Sequence, residues 1–330
     1  MLLVYYYLII NIFAFIFYGI DKKKAEAGKW RISEATLILL AVLGGAFGAI
    51  LGMLVFHHKT KKNKFRITVP IFVFINLLFI CFCLYQNYKL VTTNYVFEDT
   101  SVPEELDDYK IVQISDLHNQ FFGINQNILL SKIKEAEPDM IAVTGDAVDL
   151  SHTNYSLTVS FFKGAVKIAP VYYITGNHEL KLQGEKYDKY IQDIQALGVN
   201  FIDDQIIDKE SYYIIGVADK SRFDDMTELQ NNISDNKLKI MLAHEPENID
   251  NYKKSGANLI FCGHVHGGQI IIPDKGGVFS PGFTFFPKYY GGKYEEGNTT
   301  LIVSRGLGNS ILPVRINNYP EIVVTTLKHK

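Results

Sequence analysis

Cysteine is scarce in this chain: 3 among 330 residues are too few for a disulfide scaffold or a four-thiolate zinc site. Cys81 and Cys83 lie two apart in an apolar run, so a helix would point them to different faces. Cys262 reads as a small core residue. Long basic tracts are missing after residue 92, which argues against nucleic acid as a partner. The chain is not short of apolar side chains, as a disordered one would be, since 48% are hydrophobic. Its net charge of −2 is small, but that sum hides two unlike parts. Residues 1–92 hold 11 Lys and Arg against 3 Asp and Glu, a balance of +8. The remainder holds 22 against 32, a balance of −10.

Charge is absent altogether from residues 1–20, 35–56 and 67–88. At about 1.5 Å per helical residue each run spans the roughly 30 Å core of a bilayer. An all-α transmembrane domain of about three segments is therefore expected over 1–92. The first run lacks a basic leader and a small-x-small cleavage site, so it reads as a retained anchor. Gly44, Gly48 and Gly52 recur at four-residue spacing and would give one helix a smooth face for another to approach.

The two loops of this domain carry five basic residues each, and three full spans would put them on opposite sides. A break near Gly44 and Gly45, with re-entry, would leave both loops cytoplasmic. The last span then runs outward and the rest of the chain is expected outside the cytoplasm, on a multi-pass membrane protein. Residues 93–108, polar and acidic with Pro103, read as a linker. His57 and His58, in the second basic loop, read as interfacial rather than metal-binding. Tyr18-x-x-Asp21-Lys22, Trp30-Arg31-Ile32-x-Glu34, Gly44-Gly45-x-x-Gly48-Ala49, His58-Lys59-Thr60 and Phe65 resemble a small bacterial membrane family of unassigned function.

From residue 109 to 330 short apolar runs alternate with helical stretches. Residues 110–114, 140–143, 171–174, 239–242 and 258–261 read as buried strands. Residues 125–136, 156–168, 186–197 and 246–254 read as the helices between them. The pattern predicts a layered α/β domain without internal repeats.

Each strand runs into residues that bind metals. The first is followed by Asp116-Leu117-His118, the second by Gly145-Asp146, the third by Gly176-Asn177-His178-Glu179. His244 follows the fourth and Gly263-His264-Val265-His266 the fifth. Side chains at the carboxyl ends of strands converge in one crevice. Five of the nine histidines lie in these motifs, too many to be scattered structural residues. So many donors exceed what one ion can take while leaving room for substrate, which points to two ions about 3.5 to 4 Å apart bridged by a carboxylate. Asp146 sits mid-order for that role. Mixed oxygen and imidazole donors suit Mn, Fe or Zn in preference to Mg.

In full and in order, these motifs resemble the signature of the calcineurin-like metallophosphoesterases. His266-Gly267-Gly268-Gln269, Ser280-Pro281-Gly282 and Ser304-Arg305-Gly306-Leu307-Gly308 further resemble a membrane-linked bacterial branch, some of whose members are similar to UDP-2,3-diacylglucosamine pyrophosphatase. The resemblance implies a four-layer α-β-β-α sandwich. It implies that Asp116, His118 and His266 hold one divalent metal, that Asn177, His244 and His264 hold a second, and that Asp146 bridges them. It makes His178 a catalytic residue beside Asp146, protonating the leaving oxygen or stabilising the transition state while a metal-bridging hydroxide attacks phosphorus.

The expected function is thus a membrane-anchored, dinuclear-metal phosphoesterase acting on a phosphorylated small molecule or a lipid-linked envelope precursor, with the lipid bilayer as partner. The alternative is a non-catalytic metal-binding sensor or scaffold on the same fold. Arg305 and Arg315 read as structural cations before substrate clamps. The run Phe283, Phe285, Phe286, Tyr289 and Tyr290 reads as loop packing before a lipid contact. Glu179 and Asn119 read as supports for the ligands.

Overall fold

A computed structural model describes residues 2–149, 155–219, 226, 233, 237–281, 284–309 and 314–330. The chain divides into two compact units, one through Tyr85 and one from Gln86 onward.

The first unit consists of helices α1 (Leu2–Glu26), α2 (Glu34–Leu40), α3 (Ala46–Val55) and most of α4 (Asn63–Tyr88). Ser33 starts α2 by accepting the Thr36 N–H at 3.0 Å. Between α2 and α3 the chain makes a π-helical turn over Ala41–Gly45, where Gly44 adopts φ 106 and breaks the helix. The backbone groups loosened there are answered by amides. Asn11 donates to Gly44 O at 3.0 Å and accepts the Gly48 N–H at 2.7 Å, while Asn76 donates to Ala41 O at 3.3 Å. α3 lies hard against α1, since a Cβ on Gly48 would land on the Asn11 backbone. Among the described residues, Glu34–Val55 and Asn63–Tyr88 are long and apolar enough to cross a membrane. The expected segment 1–20 lies within α1, which carries no Asp, Glu, Lys or Arg before Asp21. His58 is not interfacial, because it is buried and bonded to Asp21 at 2.7 Å.

The second unit contains β1 (Val91–Asp99), β2 (Lys110–Ile114), β3 (Met140–Thr144), β4 (Val171–Ile174), β5 (Asn200–Phe201), β6 (Gln205–Asp208), β7 (Tyr212–Gly216), β8 (Leu238–Leu242) and β9 (Leu259–Cys262). The strands β10 (Ile271–Ile272), β11 (Gly276–Gly277), β12 (Gly292–Glu296), β13 (Thr299–Val303) and β14 (Glu321–His329) follow. One six-stranded sheet has the order β1-β14-β2-β3-β4-β5 and the other β12-β13-β9-β8-β7-β6. β2 through β5 are parallel, as are β7, β8, β9 and β13. Residues 91–99, read largely as tether, form a strand parallel to β14, so nine residues of backbone are paired there.

The strands read as unbroken apolar runs because both faces are covered. Along β3, Met140 and Ala142 enter the core between the sheets, while Ile141 and Val143 face α5 (Asn127–Glu135), α6 (Ser156–Ala165) and α7 (Glu185–Gln195). Along β9, Leu259 and Phe261 share the central core, and Ile260 and Cys262 join Ile249 and Tyr252 on the outer side of the second sheet. The single helix expected over 246–254 is three short turns, of which only Ile249–Tyr252 is α-helical. Beneath the strand ends, Gln113 donates to Thr144 Oγ1 at 3.0 Å and Cys262 O at 2.8 Å, tying the two sheets.

Candidate metal centre

The loops that leave β2 and β3 are bonded to each other through their backbones, as are those that leave β8 and β9, while the β4 loop is tied to the β3 loop by side chains. Asp116 and His118 N–H donate to Gly145 O and Asp146 O, both at 3.0 Å. Gly263 N–H donates to His244 O at 3.0 Å, and Leu307 N–H to Ser115 O at 3.0 Å. This lacing holds Asp116, His118, Asp146, His264 and His266 at φ between 46 and 69, a left-handed region costing about 1 kcal/mol or more per residue. Gly145 must be glycine: its φ is 87, and a Cβ would lie 2.7 Å from His244 Nδ1.

The side chains meet in three overlapping groups whose donor atoms lie within 4.8 Å of each other: Asp116, His118 and His266; His118, Asp146 and His178; and Asp146, His244 and His264. Asn177 lies three residues beyond the end of β4 and is half-buried. His118 Nε2 faces His266 Nε2 at 3.2 Å, and His244 Nε2 faces His264 Nδ1 at 3.2 Å. Two atoms each about 2.1 Å from one ion, at octahedral to tetrahedral angles, would be separated by about 3.0 to 3.4 Å. Both imidazole pairs therefore fit a shared ion. Asp146 Oδ1 accepts the His178 N–H at 2.8 Å, while Oδ2 lies 3.4 Å from His244 Nε2 and 3.7 Å from His118 Nε2. One carboxylate oxygen thus stands between both groups.

Tautomers and charge agree with that use. His244 Nδ1 lies 2.8 Å from Thr144 O, which can only accept, so Nδ1 carries the proton and Nε2 is directed inward. Burial pushes His118 down to about 3 and His264 to about 4, and holds His266 well below its usual range. Neutral imidazoles are the form that binds metal. Burial opposes the charge on Asp146, but His244, His118 and His178 outweigh it and hold the carboxyl well below its ordinary value. Burial likewise opposes charge on His244, yet Asp146 raises it well above the normal histidine range. A proton on His244 Nε2 answers the Asp146 charge, and it is this proton that a metal ion would displace.

Around these residues lies a supporting shell. Glu179, fully buried, accepts the N–H groups of Asp146 at 2.9 Å, Val148 at 3.1 Å and Gly176 at 2.9 Å, clamping the β3 loop to the β4 loop. Burial and the Asp146 charge raise its carboxyl to about 7. Asn119 accepts from Thr158 Oγ1 at 2.7 Å. Asp149, which carries no signal in the sequence beyond following Asp146 by three, sits 3.4 Å from His178 Nδ1. Burial opposes charge on His178, but Asp149, Asp146 and Glu179 together raise it above the ordinary histidine value.

Neither arginine is available to clamp a substrate. Arg305 pairs with Glu321 at 2.5 Å, and Arg315 is fully buried, donating to Asn309 Oδ1, Arg305 O and Gly308 O. In the aromatic run, Phe283 lies outside the described residues and Tyr289 is buried. Phe285 and Phe286 are not packed away, at 67% and 55% exposed.

Residues 109–268 match the calcineurin-like phosphoesterase family, and residues 11–65 match a family described as protein of unknown function (DUF1294). The uncharacterized metallophosphoesterase YkuE of Bacillus subtilis (strain 168) is 28% identical over 259 residues, covering 74% of this chain and 87% of that protein. Phosphodiesterase YaeI of Escherichia coli (strain K12) is 26% identical over 248 residues, covering 70% of this chain and 84% of its own length. The uncharacterized protein YsdA of Bacillus subtilis (strain 168) is 45% identical over 80 residues, 24% of this chain and 90% of that protein.

Proposed function

Since the chain belongs to the calcineurin-like metallophosphoesterases and is a metal-dependent phosphoric ester hydrolase, we propose that it hydrolyses a phosphate ester or pyrophosphate of a lipid-linked or envelope precursor while anchored in a membrane. The observation that carries the dinuclear reading is the position of Asp146 Oδ2 between His244 and His118. Asp116, His118 and His266 would hold one divalent ion, Asn177, His244 and His264 the other, with Asp146 shared. When bound, two such ions supply charge to the phosphoryl oxygens and a nucleophilic water at neutral pH. His178 does what remains. Asp149 holds its Nδ1, so Nε2, 4.0 Å from Asp146 Oδ2, is the atom that gives a proton to the leaving oxygen.

A lipid-linked substrate, in the manner of the UDP-2,3-diacylglucosamine pyrophosphatase branch, is supported by the exposed Phe285 and Phe286. Their loop is fastened beside a proposed ligand: Val278 and Phe279 N–H both donate to Gly268 O at 3.2 Å, two residues beyond His266. Three membrane segments with the second unit outside the cytoplasm remain our reading. The two long apolar helices and Trp30, 92% exposed as interfacial aromatics are, support a membrane position. The test uses the full chain in detergent with Mn²⁺, offering an aryl monoester, an aryl diester and a lipid-linked pyrophosphate side by side. Hydrolysis that chelator abolishes and Mn²⁺ restores is expected. Activity surviving in both Asp146→Asn and His178→Ala would overturn the assignment. Bound metal without hydrolysis of any of the three substrates would favour the sensor alternative.

A further inference from the structure

Motif residues of the first unit far apart in sequence, Lys22, Arg31, His58, Lys59 and Thr60, line one cavity. Asp21, wholly buried near the end of α1, accepts from Arg31 Nη2 at 2.8 Å and the Ile32 N–H at 3.0 Å, and pairs with His58 Nε2 at 2.7 Å. Lys59 Nζ stands 3.5 Å away and also pairs with Glu34 at 3.0 Å, though Lys59 is only 8% exposed. A basic loop at a membrane surface needs no such hub, because solvated lysines carry out that role alone. Holding a buried lysine, a guanidinium and an imidazole around one carboxylate fixes their positions.

In front of this hub lies an open cavity of about 390 Å³, walled by Lys22, Arg31, His57, Lys59, Lys61 and Lys62. Five of these are permanent cations. Glu26 pairs with Lys22 at 3.1 Å, Asp21 and Glu34 account for two more charges, and an excess of two positive charges remains before either histidine is counted. Lys61 has no ion pair among the described residues.

We propose that this cavity binds a phosphate-bearing anion. Donors converging from three chain segments suit a tetrahedral, multiply charged group with several acceptor oxygens better than a planar monocarboxylate. The space admits both the phosphate and the group esterified to it. The phosphate belongs either to a lipid headgroup or to a soluble molecule, and the two sources separate by experiment. This inference does not depend on the reaction at the metal centre.

The test takes the full chain in neutral detergent with chelator present, so that the metal centre contributes no phosphate site. Equilibrium dialysis with radiolabelled inorganic phosphate, at constant ionic strength set by chloride, reads the soluble arm. Native mass spectrometry of chains released from phosphatidylglycerol or phosphatidylcholine nanodiscs reads the lipid arm. Saturable phosphate uptake assigns the soluble source, and selective retention of phosphatidylglycerol assigns the headgroup. In either case Lys61→Gln combined with Lys62→Gln is expected to weaken binding at least fivefold. Lys61→Gln alone, which forfeits no ion pair, should weaken it with an unchanged melting temperature. Binding in neither arm, or binding that both variants leave intact, overturns the proposal.

Discussion

Asp21 in the first unit and Asp146 in the second are both buried carboxylates ringed by imidazole and other polar groups, yet the protein completes them differently. Asp21 is met at 2.7 to 3.0 Å by Arg31, His58 and the Ile32 backbone, so its charge is answered inside the chain. Asp146 presents Oδ2 to His244, His118 and His178 at 3.4, 3.7 and 4.0 Å. Those spacings leave room for ions, and its neighbours are imidazoles, His244 and His118 as proposed ligands and His178 as proposed proton donor, rather than permanent cations. A carboxylate surrounded by permanent cations is a structural hub, whereas one surrounded by imidazoles draws its countercharge from outside, as a proton or as an ion. The cost of five left-handed residues, Asp146 among them, belongs to the same contrast, because the strain keeps donors aimed where no protein cation stands.

The sharpest way to break this comparison is Asp146→Asn. An amide there removes the shared negative charge while keeping shape, so hydrolysis of an aryl phosphate ester should fall by about 10³-fold or more. Bound metal, measured by plasma emission, should fall with it. If the variant keeps both metal and rate, Asp146 is no more than a second structural hub.

Next in size is Glu179→Gln. The carboxylate accepts three backbone N–H groups, and an amide NH₂ would oppose at least one of them. Metal affinity should drop about 10- to 100-fold, as for other residues that orient ligands. An unchanged affinity would mean that the β3 and β4 loops hold their places without the clamp.

A smaller effect is expected from Asp149→Asn, about tenfold on kcat with KM and metal content nearly unchanged, because only the aim of His178 is disturbed. A larger change in KM than in kcat would place Asp149 in substrate binding instead.

How much of this could be read from the chain differs between the regions for physical reasons. β2, β3, β4, β8 and β9 are buried on both faces, so their runs are apolar throughout and end visibly at the ligands. β1, with polar side chains alternating at a sheet edge, resembles a polar tether, and only its pairing with β14 at the far end of the chain gives it structure. Asp149 offers no periodicity at all. Asp21 was visible as a motif position, but its role depends on Arg31 and His58, ten and 37 residues away, and local spacing cannot report such distances.

The smallest expected effect on hydrolysis comes from Asp21→Asn, and it tests the other half of the comparison. The metal centre is assembled from residues 116 to 308, all in the second unit, so the rate per folded chain should stay within about twofold of the parent, as for sites that share no partners. Stability should respond instead. The amide leaves Arg31, His58 and Lys59 facing a group without charge, a loss of about 2 kcal/mol given that Arg31 is partly exposed and can rehydrate. The signature is a lower melting transition for the full chain in detergent beside an unaltered metal content. If hydrolysis collapses together with stability, Asp21 reaches the metal centre, and the two carboxylates are parts of one system rather than a finished hub and an open one.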